Sequence, residues 1–269
     1  MNRTTIIIIF CLVLLVLVIV ISCVLIRKEK PKIPTLIRTK QNAFHLTPSY
    51  KDQIYLYELE LTPMTSESLV KSIEWDETFM ETRLKERTKE MNEKNVKTIP
   101  ELLACLRKKR DAINVNKPRE QTVLALDHKM LERMLGAKAF DQLVVYAGPT
   151  SKWKYINLWV NNNGYTTPMH GDISHGFALH LTGKKRWVFA NKKHLKDCYA
   201  TPNFRGHLYC KASDPYNNDL KEIYPDFKKI RYLHTDIKAG EMLNVPVRML
   251  HFVHTLETCC MVSIITYLK

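Results

Sequence analysis

The sequence predicts a mainly β fold, a sandwich or barrel of short strands, preceded by a helical N-terminal part and, ahead of that, a single transmembrane helix. Three observations carry this expectation. From about residue 142 onward, short runs separated by turn signals follow one another: LVVYAG, YINLWV, the turn NNNG, FALHLTG, KRWVFA, RYLHTDI, EMLNVP and CMVSIITYL. Between residues 51 and 141, charged stretches with helix-capping signals dominate. Residues 5–26, TIIIIFCLVLLVLVIVISCVLI, carry no charge at all.

Taken in order, residues 1–4 are a short tail before the apolar run. At about 1.5 Å per residue, the 22 positions of that run reach about 33 Å, enough to cross a hydrocarbon core. The run is too long for the apolar region of a signal peptide, and no small-x-small site follows it, so it reads as an anchor and not as a cleaved leader. Val20-Ile21-Ser22-Cys23 loosely resembles a lipoprotein cleavage box, but apolar Val24, Leu25 and Ile26 continue past the cysteine. Arg27, Lys28, Lys30 and Lys32 outweigh Arg3 across the run, so the positive-inside tendency predicts a single-pass protein with its C-terminal domain in the cytosol.

Residues 27–50, with Pro31, Pro34 and Pro48 among polar residues, read as a basic tether, and the fold is expected to start near Ile54. IYLYELEL (54–61) alternates like a half-buried strand. Thr62-Pro63 offers a cap and a first-turn proline for a charged helix to about residue 94. Thr98-Ile99-Pro100-Glu101 reads as a capping box before LLACLRKKR, and Asp127 as the cap of HKMLERML, which Gly136 stops. The helical part is therefore set at 51–141 and the barrel at 142–269.

The net charge of +14 favours anionic partners, such as nucleic acid, acidic peptides or a lipid headgroup surface, or it serves solubility alone. No stripe of basic and aromatic residues accompanies the motifs below, which argues against a single-strand nucleic-acid binder. Beyond the apolar run the cysteines are Cys105, Cys198, Cys210, Cys259 and Cys260, an odd set with an adjacent pair that does not look like a disulfide framework. They point to a reducing compartment. A chain of 269 residues can bury an ample core without such bonds.

The chemistry concentrates in His170-Gly171-Asp172 and, far along the chain, His251 in NVPVRMLHFVH. Two imidazoles and one carboxylate are the donor set that holds Fe(II) at one face and leaves positions open for dioxygen. Residues i and i+2 share a strand face, so His170 and Asp172 can reach one ion together, with His251 arriving from another strand. His254 is the rival third ligand, three residues later and directed the other way on an extended strand.

The segments LWVNNNGYTTPMHGD, FALHLTGKKRWVFA and IKAGEMLNVPVRMLHFVHTLETCCMVSIITY resemble the JmjC and cupin-like branch of Fe(II)/2-oxoglutarate-dependent oxygenases over roughly residues 120–269. Thr167-Pro168-Met169-His170-Gly171-Asp172, Gly183-Lys184-Lys185-Arg186, and Gly240-Glu241 with Pro246 and His251 follow the family's order and spacing, more closely those of small hydroxylase-type JmjC proteins than of large chromatin demethylases. The resemblance implies a double-stranded β-helix, the jelly-roll cupin fold. It implies His170, Asp172 and His251 as catalytic metal ligands, the offset from Pro246 selecting His251 over His254. It implies Lys185 as the cation, and Thr167 as the hydroxyl, that bind the far carboxylate of 2-oxoglutarate. Lys184 competes with Lys185, but adjacent strand residues point oppositely.

The implied cofactors are Fe(II), 2-oxoglutarate as co-substrate and dioxygen. The implied reaction couples oxidative decarboxylation of 2-oxoglutarate to hydroxylation of a C–H bond, with a protein or peptide as the expected substrate. The same core would serve a demethylase, and a non-catalytic cupin module binding at a membrane surface is the alternative of a different class. Two positions depart from the family pattern: Gly176 stands where relatives carry Asn, with His175 beside it to supply the lost polar contact, and Leu250 stands where a bulky aromatic is usual. His175 and His180 read as packing or pocket residues, and Trp159 and Trp187 as core.

Overall fold

Alternation of side chains along short strands builds two facing sheets, and the apolar residues of each strand decide which of three layers it fills. The computed structural model describes residues 34–38, 53–72, 104, 108, 113–115, 118–203 and 206–266. The strands are β1 (Thr35–Arg38), β2 (Gln53–Glu58), β3 (Gln121–Leu126), β4 (Trp153–Asn161), β5 (Thr166–Gly171), β6 (His175–His180), β7 (Lys184–Ala190), β8 (Ala200–Pro202), β9 (Leu208–Cys210), β10 (Leu233–Lys238), β11 (Glu241–Val245), β12 (Leu250–Glu257) and β13 (Cys259–Thr266). The α-helices are α1 (Ser66–Lys71), α2 (His128–Leu135), α3 (Ala137–Ala147) and α4 (Asn218–Ile223).

One sheet has the order β1-β2-β11-β6-β13-β4-β3, the other β10-β7-β12-β5-β9-β8. Along β4 to β7, and again along β10 to β13, the chain passes back and forth between them. This is the expected jelly roll.

Inward-facing Ile54, Leu56, Ala178, Trp187, Phe189, Leu243, Val253 and Met261 fill the space between the sheets. The opposite faces of the same strands are also apolar. Leu158, Val160, Phe177, Leu179, Val262 and Ile264 pack outward against α2 and α3, while Met169, Val188, Leu250 and Phe252 pack outward against Phe227 and Ile230. Each such buried side chain contributes about 1.5–3 kcal/mol. The double-sided burial explains why the strands read as short continuous apolar runs.

Gly183 has the most demanding turn. It joins β6 to β7 at φ +64°, and a Cβ there would stand 2.1 Å from the carbonyl oxygen of Thr258. Only glycine allows β7 to start this close to the β12–β13 turn.

Several boundaries shift from the sequence reading. The tether of 27–50 contains β1, which pairs in parallel with β2 because Leu36 and Ile37 find apolar partners on opposite faces. The fold therefore includes residues well before Ile54. The strand read as 54–61 ends at Glu58, and α1 begins at Ser66, capped by Thr65 in a reciprocal box with Ser68, not at Thr62-Pro63. The region 51–141 is not helical throughout, since it donates β2 and β3 to the larger sheet.

Asp127 does cap α2, accepting a hydrogen bond from Met130 N at 2.7 Å, and Gly136 ends it. LVVYAG, read as the first barrel strand, is instead the last part of α3. Its β-branched pair mimics a strand, but Ala139, Phe140, Leu143, Tyr146 and Ala147 form a buried helical stripe while Val145 is exposed. The charged helix beyond residue 72, the box at Thr98 and the apolar run 5–26 lie outside the described residues. Among the described residues no helix is long and apolar enough to cross a membrane.

Candidate active site

β5 and β12 run antiparallel with His170 opposite His251. Asp172 follows the end of β5, and donor atoms of the three side chains all lie within 4.8 Å of one another. His170 Nε2 is 3.9 Å and His251 Nε2 3.8 Å from the Asp172 carboxylate. Each imidazole is oriented from behind by its own strand: His170 Nδ1 donates to the Pro168 carbonyl at 2.8 Å, and His251 Nδ1 to the Met249 carbonyl at 2.9 Å. A carbonyl only accepts, so Nδ1 keeps the proton and each Nε2 offers its lone pair to the shared space.

The electrostatics suit a cation. Burial pushes the His251 imidazole down to about 4, so it is neutral at pH 7. Burial opposes the Asp172 carboxylate, but a hydrogen bond from His207 and the neighbouring His251, His170 and His207 rings more than offset it, holding the carboxyl well below its usual range. Trp187 stacks on His251 at 5.7 Å and packs on Phe189 behind it, which stiffens the ring. His254 sits on the other face of β12, paired across to Arg186 and Thr166, and takes no part.

A β-bulge brings in Thr167. Residues 167 and 170 of β5 lie opposite 253 and 251 of β12, so β5 carries one residue more than its partner. That extra residue turns Thr167 to the same side as His170, although they are three apart, and both line a cavity of about 990 Å³. Lys185 lines it too, from β7. It is 3% exposed, and its ammonium donates to Asn161 Oδ1 at 2.5 Å. Lys184 points away, to Asp236.

The interior thus holds a buried ammonium whose pKa burial pushes down. Beside it, the Asn161 amide nitrogen is buried with no hydrogen-bond acceptor. Donors left in this state fit an anionic group, as the keto acid 2-oxoglutarate would supply, while the two imidazoles and the carboxylate fit Fe(II). Asn157, Trp159 and Asn161 share the inner face of β4, whose outer face carries Ile156, Leu158 and Val160.

Gly176 also lines the cavity, but His175 cannot stand in for the missing polar side chain. It faces the outer cluster, edge-on to Phe177 at 5.2 Å. Neighbours in a strand point oppositely. A Cβ at Gly176 would come within 3.3 Å of Ile265 Cδ1, so a side chain here would require Ile265 to give way. His180 is buried beneath Trp187, which donates to it at 3.2 Å.

Two site residues carry no sequence signal. His207 Nδ1 donates to Asp172 Oδ1 at 3.0 Å, and Tyr209 lies parallel to His170 at 6.1 Å and is half exposed at the cavity mouth. Both come from the segment of β9, which pairs with β5 through His170 and Gly171.

Residues 36–265 match the family described as Cupin-like domain. Among curated relatives, JmjC domain-containing protein D of Dictyostelium discoideum is 32% identical over 104 residues, 38% of this chain and 22% of that protein. The arginine-specific demethylase JMJ20 of Arabidopsis thaliana is 26% identical over 113 residues, 38% of this chain and 22% of that protein. The matched segments thus span under a third of those proteins' length. A solved structure of the ribosomal oxygenase YcfD from Escherichia coli, in complex with cobalt and 2-oxoglutarate, is similar at 16% identity and TM-score 0.36, covering 59% of this chain and 34% of that one. The match across nearly the whole jelly roll makes this chain a member of the cupin-like domain family, and its His-Asp-His cluster and buried lysine fit Fe(II) and 2-oxoglutarate.

Proposed function

We propose that the protein is an Fe(II)- and 2-oxoglutarate-dependent dioxygenase that hydroxylates a protein side chain, held on a bilayer by residues 5–26 with its β domain on the cytosolic side. The observation that carries the catalytic reading is the buried Lys185 ammonium opening on the same cavity as His170, Asp172 and His251. His170, Asp172 and His251 are the proposed metal ligands, and Thr167 and Lys185 the proposed co-substrate contacts. When bound, the metal and keto acid together supply dioxygen activation. The chain's own part is to fix the imidazole tautomers, to present an ammonium and a hydroxyl to the far carboxylate, and to enclose the chemistry between Trp159 and Trp187. The uncharged run and the Arg27, Lys28, Lys30 and Lys32 cluster after it support the anchoring.

A demethylase would use the same residues, and the Arabidopsis relative bears that name. Release of formaldehyde from a methylated peptide would mark that outcome, whereas a stable gain of one oxygen marks hydroxylation.

The decisive experiment measures 2-oxoglutarate binding and succinate release by the full chain with Fe(II) and ascorbate. Lys185→Met should weaken 2-oxoglutarate binding by at least about 30-fold, the loss expected when one partner of a buried charge pair is removed. Lys184→Met should not change it. Equal binding by wild type and Lys185→Met would favour a non-catalytic binding module.

A further inference from the structure

β9 supports the candidate metal centre from outside. His207, just before it, holds Asp172; Tyr209, within it, flanks His170; Cys210 ends it. The strand itself is short, with two register pairs to β5 and three to β8. Its far end is fixed by sulfur. Cys210 Sγ lies 2.8 Å from Cys198 Sγ, and both thiols are buried in the cluster formed with Met169, Phe227 and Ile230. The backbones are already aligned, with Ala212 N donating to the Cys198 carbonyl at 3.3 Å. No solvent or third group fits between two sulfurs at that separation.

We propose that Cys198 and Cys210 are joined by a disulfide that staples β9 in place and so holds His207 against Asp172. The oxidant is a low-molecular-weight disulfide of the glutathione type. One cysteine thiolate attacks it, giving a mixed disulfide and one released thiolate. The second cysteine gives up its proton and attacks the protein sulfur of that mixed disulfide, releasing the other thiolate. The two cysteine protons end on the two released thiols, so two protein thiols are oxidised as one small disulfide is reduced.

Contact with Cys198 and burial push the Cys210 thiol upward, so exchange is slow in the closed fold. In a reducing cytosol the bond therefore forms only in chains that fold while the glutathione pool is oxidised, before the cluster closes, and closure of the cluster then shields it from reductants. The remaining described cysteines, Cys259 and Cys260, are adjacent on β13 and face opposite sides, Cys259 inward and Cys260 outward, which leaves them unsuited to pair.

The test uses the full chain, refolded in buffers of oxidised and reduced glutathione, then denatured, alkylated and mapped by mass spectrometry. The expected result is a peptide pair joined through Cys198 and Cys210, with Cys259 and Cys260 alkylated. Co(II) titration followed by visible absorption should show at least about tenfold tighter binding in the oxidised form, the size of effect seen when a ligand's supporting partner is lost. The double variant Cys198→Ser, Cys210→Ser should bind like the reduced form, and if it fails to fold, the oxidised and reduced wild type give the same comparison. Alkylation of both cysteines in the most oxidising buffer would overturn the disulfide. A bond without any change in Co(II) affinity would overturn its coupling to Asp172. The disulfide map is independent of the proposed function, whereas the Co(II) comparison rests on its metal site, and absence of Co(II) binding in both forms would overturn that site and not the disulfide.

Discussion

Removing the His207 side chain should weaken metal binding without touching a metal ligand. His207 Nδ1 donates to Asp172 Oδ1 at 3.0 Å, and both side chains are about 30% exposed. A hydrogen bond to a charged group contributes about 1.5–3 kcal/mol, and partial exposure takes the lower half of that range, about 1.5–2 kcal/mol. At about 1.4 kcal/mol per decade, His207→Ala should raise the Co(II) dissociation constant by roughly 10- to 30-fold. This agrees with the loss of about 10- to 100-fold typical of ligand-orienting partners. Isothermal titration of the metal-free protein with Co(II) at neutral pH measures it directly. His254→Ala is the control, because His254 lies on the opposite face of β12 and should leave affinity within about twofold. The reasoning fails if His207→Ala binds as tightly as wild type, or if His254→Ala loses as much.

Gly183→Ala should abolish soluble folded protein, since its Cβ would meet the Thr258 carbonyl at 2.1 Å in a left-handed backbone; a cooperative thermal transition near that of wild type would refute this. Acid should destabilise the metal-free protein through His175, which burial holds at about 4 in the folded state against an ordinary 6.5. The unfolded chain takes up the proton first, so this contribution is complete above pH 6.5 and lost as pH falls toward 4, in all roughly 3 kcal/mol. Denaturant melts of wild type and His175→Gln across that window should show the shallower slope in the variant, and parallel slopes would count against it.

The grouping of His170, Asp172 and His251 was legible because these donor types at this spacing are chemically restrictive. Strand parity allows only one of His251 and His254, and one of Lys184 and Lys185, to face the site; the offset from Pro246 selects His251 and the family spacing Lys185, and these are the two that face inward. Parity also showed that His175 and Gly176 face opposite ways, yet the expectation that one could replace the other overlooked it. LVVYAG misled because two β-branched residues outweighed a helical stripe that only becomes visible when the window starts at Ala137. The β4 pattern is subtler: a buried strand shows its apolar half to the helices and its asparagines to the cavity, the reverse of an ordinary half-exposed strand. His207 could not be found. It has no motif, and its place beside Asp172 is made by β9 pairing with β5, a contact between segments whose separation the sequence does not encode locally.

The extra residue in β5 has a consequence for how such a site can change. Thr167 and His170 have opposite parity in the chain and the same direction in space only because the ladder slips once between them. Deleting Pro168 or Met169 would close that slip and leave Thr167 two residues from His170, still opposite Val253 on the inner face. The ladder, and not the count of residues from His170, therefore places the hydroxyl: a spacing of two without a slip and a spacing of three with one both bring it inward, whereas a spacing of three on an unslipped ladder would keep the written signature of the site and turn the hydroxyl to the outer cluster.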